Sequence, residues 1–129
     1  MEQSDIAIVG GGVMGASAAF WLTRADPALS VTVVERDPSY ARAATALSVA
    51  SIRAQFSSAI NVKISRFGFE FVRDFADWTG PGGGVESLGL RENGYLFLAG
   101  TADGARTLAE NADLQRSLGA ATDLLTPEA

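Results

Sequence analysis

"IAIVGGGVMGASAAFWL", residues 6–22, decides how the rest of the chain reads. A short apolar run, 5–9, is opened by Asp5 and ends on Gly10, Gly11 and Gly12, with Gly15 close behind. Such a run suits a strand buried on both faces. Residues 13–24 are Ala-rich, carry Met14, Phe20, Trp21 and Leu22, and predict a helix that Pro27 in "DPALS" ends. "VTVVE", residues 31–35, is β-branched and predicts a second strand. The three pieces form a β-α-β unit whose first turn is made of glycine.

Gly10, Gly12 and Gly15 have the spacing G-x-G-x-x-G, and each has its own physical role. Gly10 allows the tight turn off the strand. Gly12 lacks a Cβ, so a pyrophosphate can approach the backbone. Gly15 lets the helix pack close to the strands, and Ala19, one turn on, serves the same packing. Gly11 adds only permissiveness and is no ligand. The helix N-terminus then offers N–H groups and a positive dipole end to phosphates. The second strand ends in Glu35, 20 residues past Gly15. An acidic side chain there accepts hydrogen bonds from both ribose hydroxyls of an adenosine and repels a 2′-phosphate, which disfavours NADP. The competing reading is an ordinary glycine-rich turn with Glu35 as a solvated strand end. The motif alone does not separate FAD from NAD, since both present an ADP moiety.

The composition bounds the rest. The chain has 129 residues, the size of one ordinary domain, with 47% hydrophobic and 19% charged residues, as a globular protein has. Its net charge of −5 argues against binding nucleic acid or anionic lipid. With no Cys and no His, disulfides, thiolate chemistry, a His base and the usual zinc ligands are absent, and no metal site is expected. "MEQSD" is acidic, unlike a signal peptide, and no apolar run has the length of a membrane span. A cytoplasmic protein is the expectation.

Residues 36–56 have weak periodicity and leave a short helix open. Beyond them, Ser57 or Ser58 caps a helix in which Ile60, Ile64, Phe67, Phe71, Phe75 and Trp78 form one apolar stripe. Arg66 with Glu70, and Arg73 with Asp77, sit at i,i+4 on its outer side. The stripe is read as core packing and not as a flavin-stacking platform. "GPGGG", residues 80–84, is a connector. "LGLRENGYLFLAG" predicts a hairpin turning at Asn93-Gly94. Residues 103–118 predict a helix closed by Gly119, and Thr126-Pro127-Glu128 has the pattern of a helix start. That final pattern marks the chain as a fragment of something longer.

"DIAIVGGGVMGASAAFWL" followed by "VTVVERD" resembles the N-terminus of the D-amino-acid oxidase and sarcosine oxidase family of FAD-dependent amine oxidoreductases. "ALSVASIRAQFS", residues 46–57, is similar to the segment ending in Ile-Arg that lies against the flavin in such enzymes. "GYLFLAG" and the stretch from "LAENADLQRSLGA" to "LLTPEA" resemble the point where the family's substrate domain begins. Val49 and Ala50 depart from the pattern, since many relatives carry glycine there. The resemblance implies an α/β, Rossmann-like βαβ FAD-binding fold, incomplete over residues 1–84, with the start of a β-rich substrate domain over 85–129. It implies FAD as cofactor, bound non-covalently because the chain has neither His nor Cys. The cofactor-binding residues would be Gly10, Gly12, Val13, Met14, Gly15, Glu35, Arg36, Ser48, Ser51 and Arg53. Arg53 is either a charge beside the flavin or pyrophosphate, or a surface arginine. Ser48 and Ser51 are either donors to the cofactor or small polar loop residues. The implied reaction is CH–NH oxidation of a secondary amine or amino acid, with hydride passing to the flavin. No catalytic residue is identified, and the chain alone is expected to be inactive and to expose apolar surface. An NAD-dependent dehydrogenase segment and a non-catalytic truncated scaffold are the alternatives.

Overall fold

The computed structural model describes residues 3–126. These fall into two units, Met1–Ser51 and Ile52–Ala129. The expected boundary after residue 84 lies within the second. The helix start at residues 126–128 lies largely outside the described residues.

In the first unit, strand β1 (Ile6–Val9), helix α1 (Val13–Ala25) and strand β2 (Val31–Val34) follow in order. β1 and β2 pair in parallel, in a register from Ile6 opposite Val31 to Val9 opposite Val34. Asp5 fixes that register from below. Its N–H donates to the Ser30 carbonyl at 2.9 Å, and its carboxylate accepts from the Ser30 N–H at 2.9 Å. The fold is thus mixed α/β with a small two-stranded parallel sheet. The strand expected to be buried on both faces is not. Ile6 and Ile8 are half-buried, with the Ile8 side chain beside α1 at Gly15, whereas Ala7 and Val9 face out and Val9 is 90% exposed. No second layer covers that face among the described residues of this unit.

After β2 the chain runs through successive turns to residue 51 without forming the short helix that the sequence left open. Asp37-Pro38-Ser39 starts the reversal. The Asp37 carboxylate accepts from the Ser39 N–H at 3.0 Å and from the Ser39 hydroxyl at 2.6 Å. Two non-glycine residues here take left-handed backbone, Tyr40 (φ 55°) and Ala50 (φ 50°). Ala50 is one of the positions at which the sequence departs from the glycine of its look-alikes, and its conformation is the one glycine adopts without steric cost.

In the second unit, α2 (Ala59–Arg73), α3 (Phe75–Thr79) and α4 (Ala102–Ser117) are the regular elements. The single helix expected through Trp78 breaks at Asp74, whose φ of −101° and ψ of 28° leave the helical region. The carboxylate of Asp74 takes both Arg73 hydrogen bonds, at 2.8 and 2.7 Å, so the ion pair forms between neighbours and not with Asp77. The aromatic stripe survives the break. Phe71 lies 6.4 Å from Phe67, 5.6 Å from Phe75 and 5.7 Å from Trp78, centroid to centroid, so the rings pack on one another. The stripe as a whole is not the core that the sequence led us to expect: Ile60, Ile64 and Phe67 are exposed, and Val62 is the α2 residue that is buried. The Arg66–Glu70 pair forms as expected, at 3.4 Å. The guanidinium of Arg66 also donates to the Leu118 carbonyl and so ties α2 to the end of α4. Val62 on α2 and Ala112 and Gln115 on α4 are buried. The Gln115 amide is satisfied by the Phe56 carbonyl at 3.1 Å.

Gly119 (φ 79°) closes α4 as expected. Its N–H bonds the Arg116 carbonyl and the Ala120 N–H bonds the Gln115 carbonyl, both at 2.9 Å, the paired bonds of a Schellman cap. The hairpin expected around Asn93-Gly94 is not formed, and residues 85–99 contain no strand. The type I′ turn that an Asn-Gly pair favours needs positive φ at both positions, and only Gly94 (φ 75°) has it. A lone hairpin is also marginal without a third strand or a packed layer. The segment has no regular secondary structure, and Leu98 is 85% exposed. The expected start of a β-rich domain is therefore not seen as a sheet in the described residues.

Candidate functional site

The turn between β1 and α1 shows why each glycine is there. Gly10 has φ 98°, and its N–H bonds the Val34 carbonyl at 2.8 Å, which continues the sheet one residue past β1. A Cβ on Gly15 would lie 1.8 Å from the Gly10 carbonyl oxygen and 3.2 Å from the Ile8 side chain. Helix and turn can meet this closely only because Gly15 has no side chain. Gly12 differs from both. Its backbone is ordinary (φ −61°, ψ −178°), and a Cβ there would meet nothing within 4 Å. The space above Gly12 is open for a ligand, and α1 begins directly beneath it.

No side chain caps α1. Its first-turn N–H groups are thus available to an anion, apart from a long contact of 3.4 Å between the Val13 N–H and the Thr45 hydroxyl. The first turn carries no acidic residue. Met14 is 82% exposed on the same turn.

Glu35 lines the same cleft as this helix start, with both carboxylate oxygens fixed by backbone. Oε1 accepts from the Asp37 N–H at 2.8 Å, and Oε2 from the Gly11 N–H at 2.7 Å. These donations, Asp37 first, hold the carboxyl below its ordinary value of 4.5, so Glu35 is ionised at neutral pH. Each oxygen keeps a lone pair that can accept from a hydroxyl. Gly11 therefore does more than permit a turn. Its N–H anchors the carboxylate, and the Tyr40 hydroxyl lies 2.7 Å from where its Cβ would be.

A cleft of about 330 Å³ joins these parts, within the usual range for small-molecule sites. Of the residues expected from sequence, Gly10, Gly12, Val13, Met14, Gly15, Glu35 and Arg36 line it. Asp37, Tyr40, Arg42 and Thr45 also line it and were missed. The signal for them was the Asp-Pro-Ser turn, which reverses the chain after β2 and returns residues 40–45 over the glycines.

Ser48, Ser51 and Arg53 are not among the lining residues. The Ser48 hydroxyl bonds the Thr45 carbonyl at 2.8 Å and accepts from the Ala50 N–H at 3.1 Å, which are local turn contacts. Ser51 has only a long contact of 3.5 Å to the Val49 carbonyl. Arg53 belongs to the second unit. There its guanidinium lies 4.9 Å from the Phe56 ring centroid and 5.3 Å from that of Phe97. The neighbouring Gln55 amide donates to the Tyr95 carbonyl at 3.0 Å. The described residues contain no cluster of metal ligands, and no helix among them is long and apolar enough to cross a membrane.

The residues present fit the ADP half of a flavin dinucleotide: an open approach over Gly12, an uncapped helix start, and a fixed carboxylate just past the second strand on the same cleft. Comparison with known proteins points the same way. Residues 5–129 match the family described as FAD dependent oxidoreductase, DAO. The chain is 43% identical over 131 residues to "FAD-dependent oxidoreductase domain-containing protein 1" of Xenopus laevis, covering 98% of this chain and 26% of that protein. It is 44% identical over 134 residues to the protein of the same name from Bos taurus, covering 98% and 27%. It is 38% identical over 125 residues to the Drosophila melanogaster homolog, covering 96% and 24%. The chain spans about a quarter of the length of these curated relatives. No solved structure matches it significantly. The chain belongs to the DAO family of FAD-dependent oxidoreductases.

Proposed function

We propose that the β1–α1–β2 unit is the start of a Rossmann-like fold that binds the ADP half of FAD, non-covalently, in an oxidoreductase acting on a secondary amine or amino acid. The observation that carries this reading is the open space over Gly12 above an uncapped helix N-terminus. In it, backbone N–H groups of the α1 first turn hold the pyrophosphate, and the Glu35 carboxylate accepts from the ribose hydroxyls. Gly11 and Asp37 keep that carboxylate ionised and oriented. FAD supplies the hydride acceptor, and the chain's part is to bind and orient it. A small-molecule amine fits the family's chemistry, and a substrate domain is proposed to begin near residue 85.

The full chain, purified as it is expressed from its gene, tests this. Flavin absorbance that passes to the supernatant on acid precipitation supports non-covalent FAD. Flavin that stays with the precipitate overturns the non-covalent reading. Binding of NAD without FAD overturns the cofactor. Peroxide-coupled and dye-linked assays over sarcosine, dimethylglycine and D- and L-amino acids, run on the longer protein of which these 129 residues are expected to be the start, test the substrate class, and a blank panel from that flavin-loaded protein refutes it.

A further inference from the structure

Tyr40 is the residue in the cleft whose conformation needs a reason. Its φ of 55° lies in the left-handed region, where a bulky side chain is an outlier. Such conformations persist when surrounding contacts hold them, and they cluster at functional sites. The local turn supplies part of the hold. The Tyr40 N–H bonds the Asp37 carbonyl, and the Ala43 N–H bonds the Tyr40 carbonyl, both at 2.9 Å. The consequence is that the phenol swings over the glycine turn and its hydroxyl comes to rest 2.7 Å from the point a Gly11 Cβ would occupy. The same point is 3.4 Å from the Glu35 Cβ. The hydroxyl thus stands over the glycine turn, beside the Gly11 residue whose N–H anchors the Glu35 carboxylate. Among the described residues it has no hydrogen-bond partner, and Tyr40 is 40% exposed in the cleft. A phenol that only packed the loop against the turn would gain nothing from a hydroxyl placed here.

We infer that Tyr40 is a nucleotide-contacting residue, whose hydroxyl hydrogen-bonds the same adenosine ribose that Glu35 holds. The inference rests on the proposed FAD site and adds to it a residue that the glycine motif does not contain. It also gives Gly11 a second function, since any side chain there would displace the phenol. Phe at position 40 would leave room for one. With the hydroxyl gone, the nearest atoms to a Gly11 Cβ are the Glu35 Cβ at 3.4 Å and the ring Cε1 at 3.5 Å, both ordinary contacts.

The experiment is a double-mutant cycle on the full chain, titrated with FAD and with ADP. Tyr40→Phe weakens both ligands by about fivefold to tenfold, the worth of one hydrogen bond, and leaves the thermal midpoint of the apo protein unchanged. Inorganic pyrophosphate, which has no ribose, competes equally well against wild type and Tyr40→Phe. Gly11→Ala alone weakens ADP to a similar degree, and adding it to Tyr40→Phe costs nothing more. Wild-type affinity for ADP in Tyr40→Phe overturns the inference while leaving the FAD site standing. An equal loss for pyrophosphate overturns the ribose assignment, and additive losses in the cycle overturn the role given to Gly11. A wild-type protein that binds neither FAD nor ADP overturns the proposed site and this inference together. If Tyr40→Phe lowers the apo midpoint, the cycle decides through Gly11→Ala, which retains the phenol ring, and undiminished ADP affinity there is refuting.

Discussion

Substituting alanine at Gly12 and at Gly15 should separate a binding glycine from a folding glycine. At Gly15 the new Cβ would sit 1.8 Å from the Gly10 carbonyl oxygen, where an ordinary contact begins at 3.4 Å. The atom it meets first is backbone and cannot rotate away, so the first turn of α1 must retreat by about 1.5 Å. Overpacking of this kind costs about 1–3 kcal/mol of stability. It also carries the helix N–H groups away from their ligand. A hydrogen bond of about 2.9 Å stretched that far exceeds 4 Å and no longer counts as one. At Gly12 the new Cβ meets nothing, and its φ of −61° suits alanine as well as glycine. Gly12→Ala should therefore leave stability unchanged or raise it by about 0.4–1 kcal/mol through the stiffer unfolded chain. The methyl instead stands in the approach of the pyrophosphate. Displacing the phosphate from one or two N–H donors, at about 1.5–3 kcal/mol each, weakens FAD by roughly tenfold to ten-thousandfold. Urea unfolding and FAD fluorescence quenching on the full chain measure the two effects separately. Wild-type FAD affinity in a folded Gly12→Ala protein would refute the placement of the pyrophosphate, and an unchanged urea midpoint in Gly15→Ala would refute the packing argument.

Ala50→Gly removes a left-handed alanine that costs about 1–2 kcal/mol and adds about 0.5–1 kcal/mol of glycine chain entropy, so the urea midpoint should rise slightly; a fall would mean the alanine methyl makes a contact that matters more. Glu35→Gln places an amide donor against the N–H of Gly11 or Asp37 and should weaken FAD severalfold in titration. Because the folded Glu35 carboxyl titrates below 4.5, its contribution is present above that pH and is lost only as pH falls through the lower folded value, so the FAD affinity curve should show no Glu35 step near neutrality. Thr101→Ala removes the acceptor of the Gly104 N–H, 3.1 Å away at the start of α4, and should cost about 1 kcal/mol in urea unfolding.

What could be read in the sequence and what could not divide along a physical line. The β1–α1–β2 unit and the C-terminal cap of α4 are local. Their signals lie within a few residues of the structure they specify, as with Gly10 at a positive φ, Gly119 in a Schellman cap, or Gly15 against its own preceding turn. The misses depend on contacts distant in sequence or on choices between near-equal partners. Arg73 had two carboxylates within reach, and the adjacent Asp74 won because it accepts two hydrogen bonds at once. Asn93-Gly94 has the composition of a hairpin turn, yet strand pairing needs a neighbouring layer that the described residues do not supply.

The cleft shows the same division within a single site. Its glycine wall comes from Gly10, Gly12 and Gly15, neighbours in sequence, and the structure places all three on the cleft as expected. Its other wall comes from Tyr40, Arg42 and Thr45, which reach the glycines only because the chain reverses at Asp37-Pro38-Ser39. Gly11 lies at the seam and was misjudged for that reason. Its neighbours in the chain say only that it is permissive, whereas Glu35, 24 residues on, takes its N–H, and Tyr40 occupies the place of its missing Cβ. A glycine whose need arises across such a distance is recognised by the partner that fills its space, and in this chain that partner is a tyrosine held in a conformation it would not choose alone.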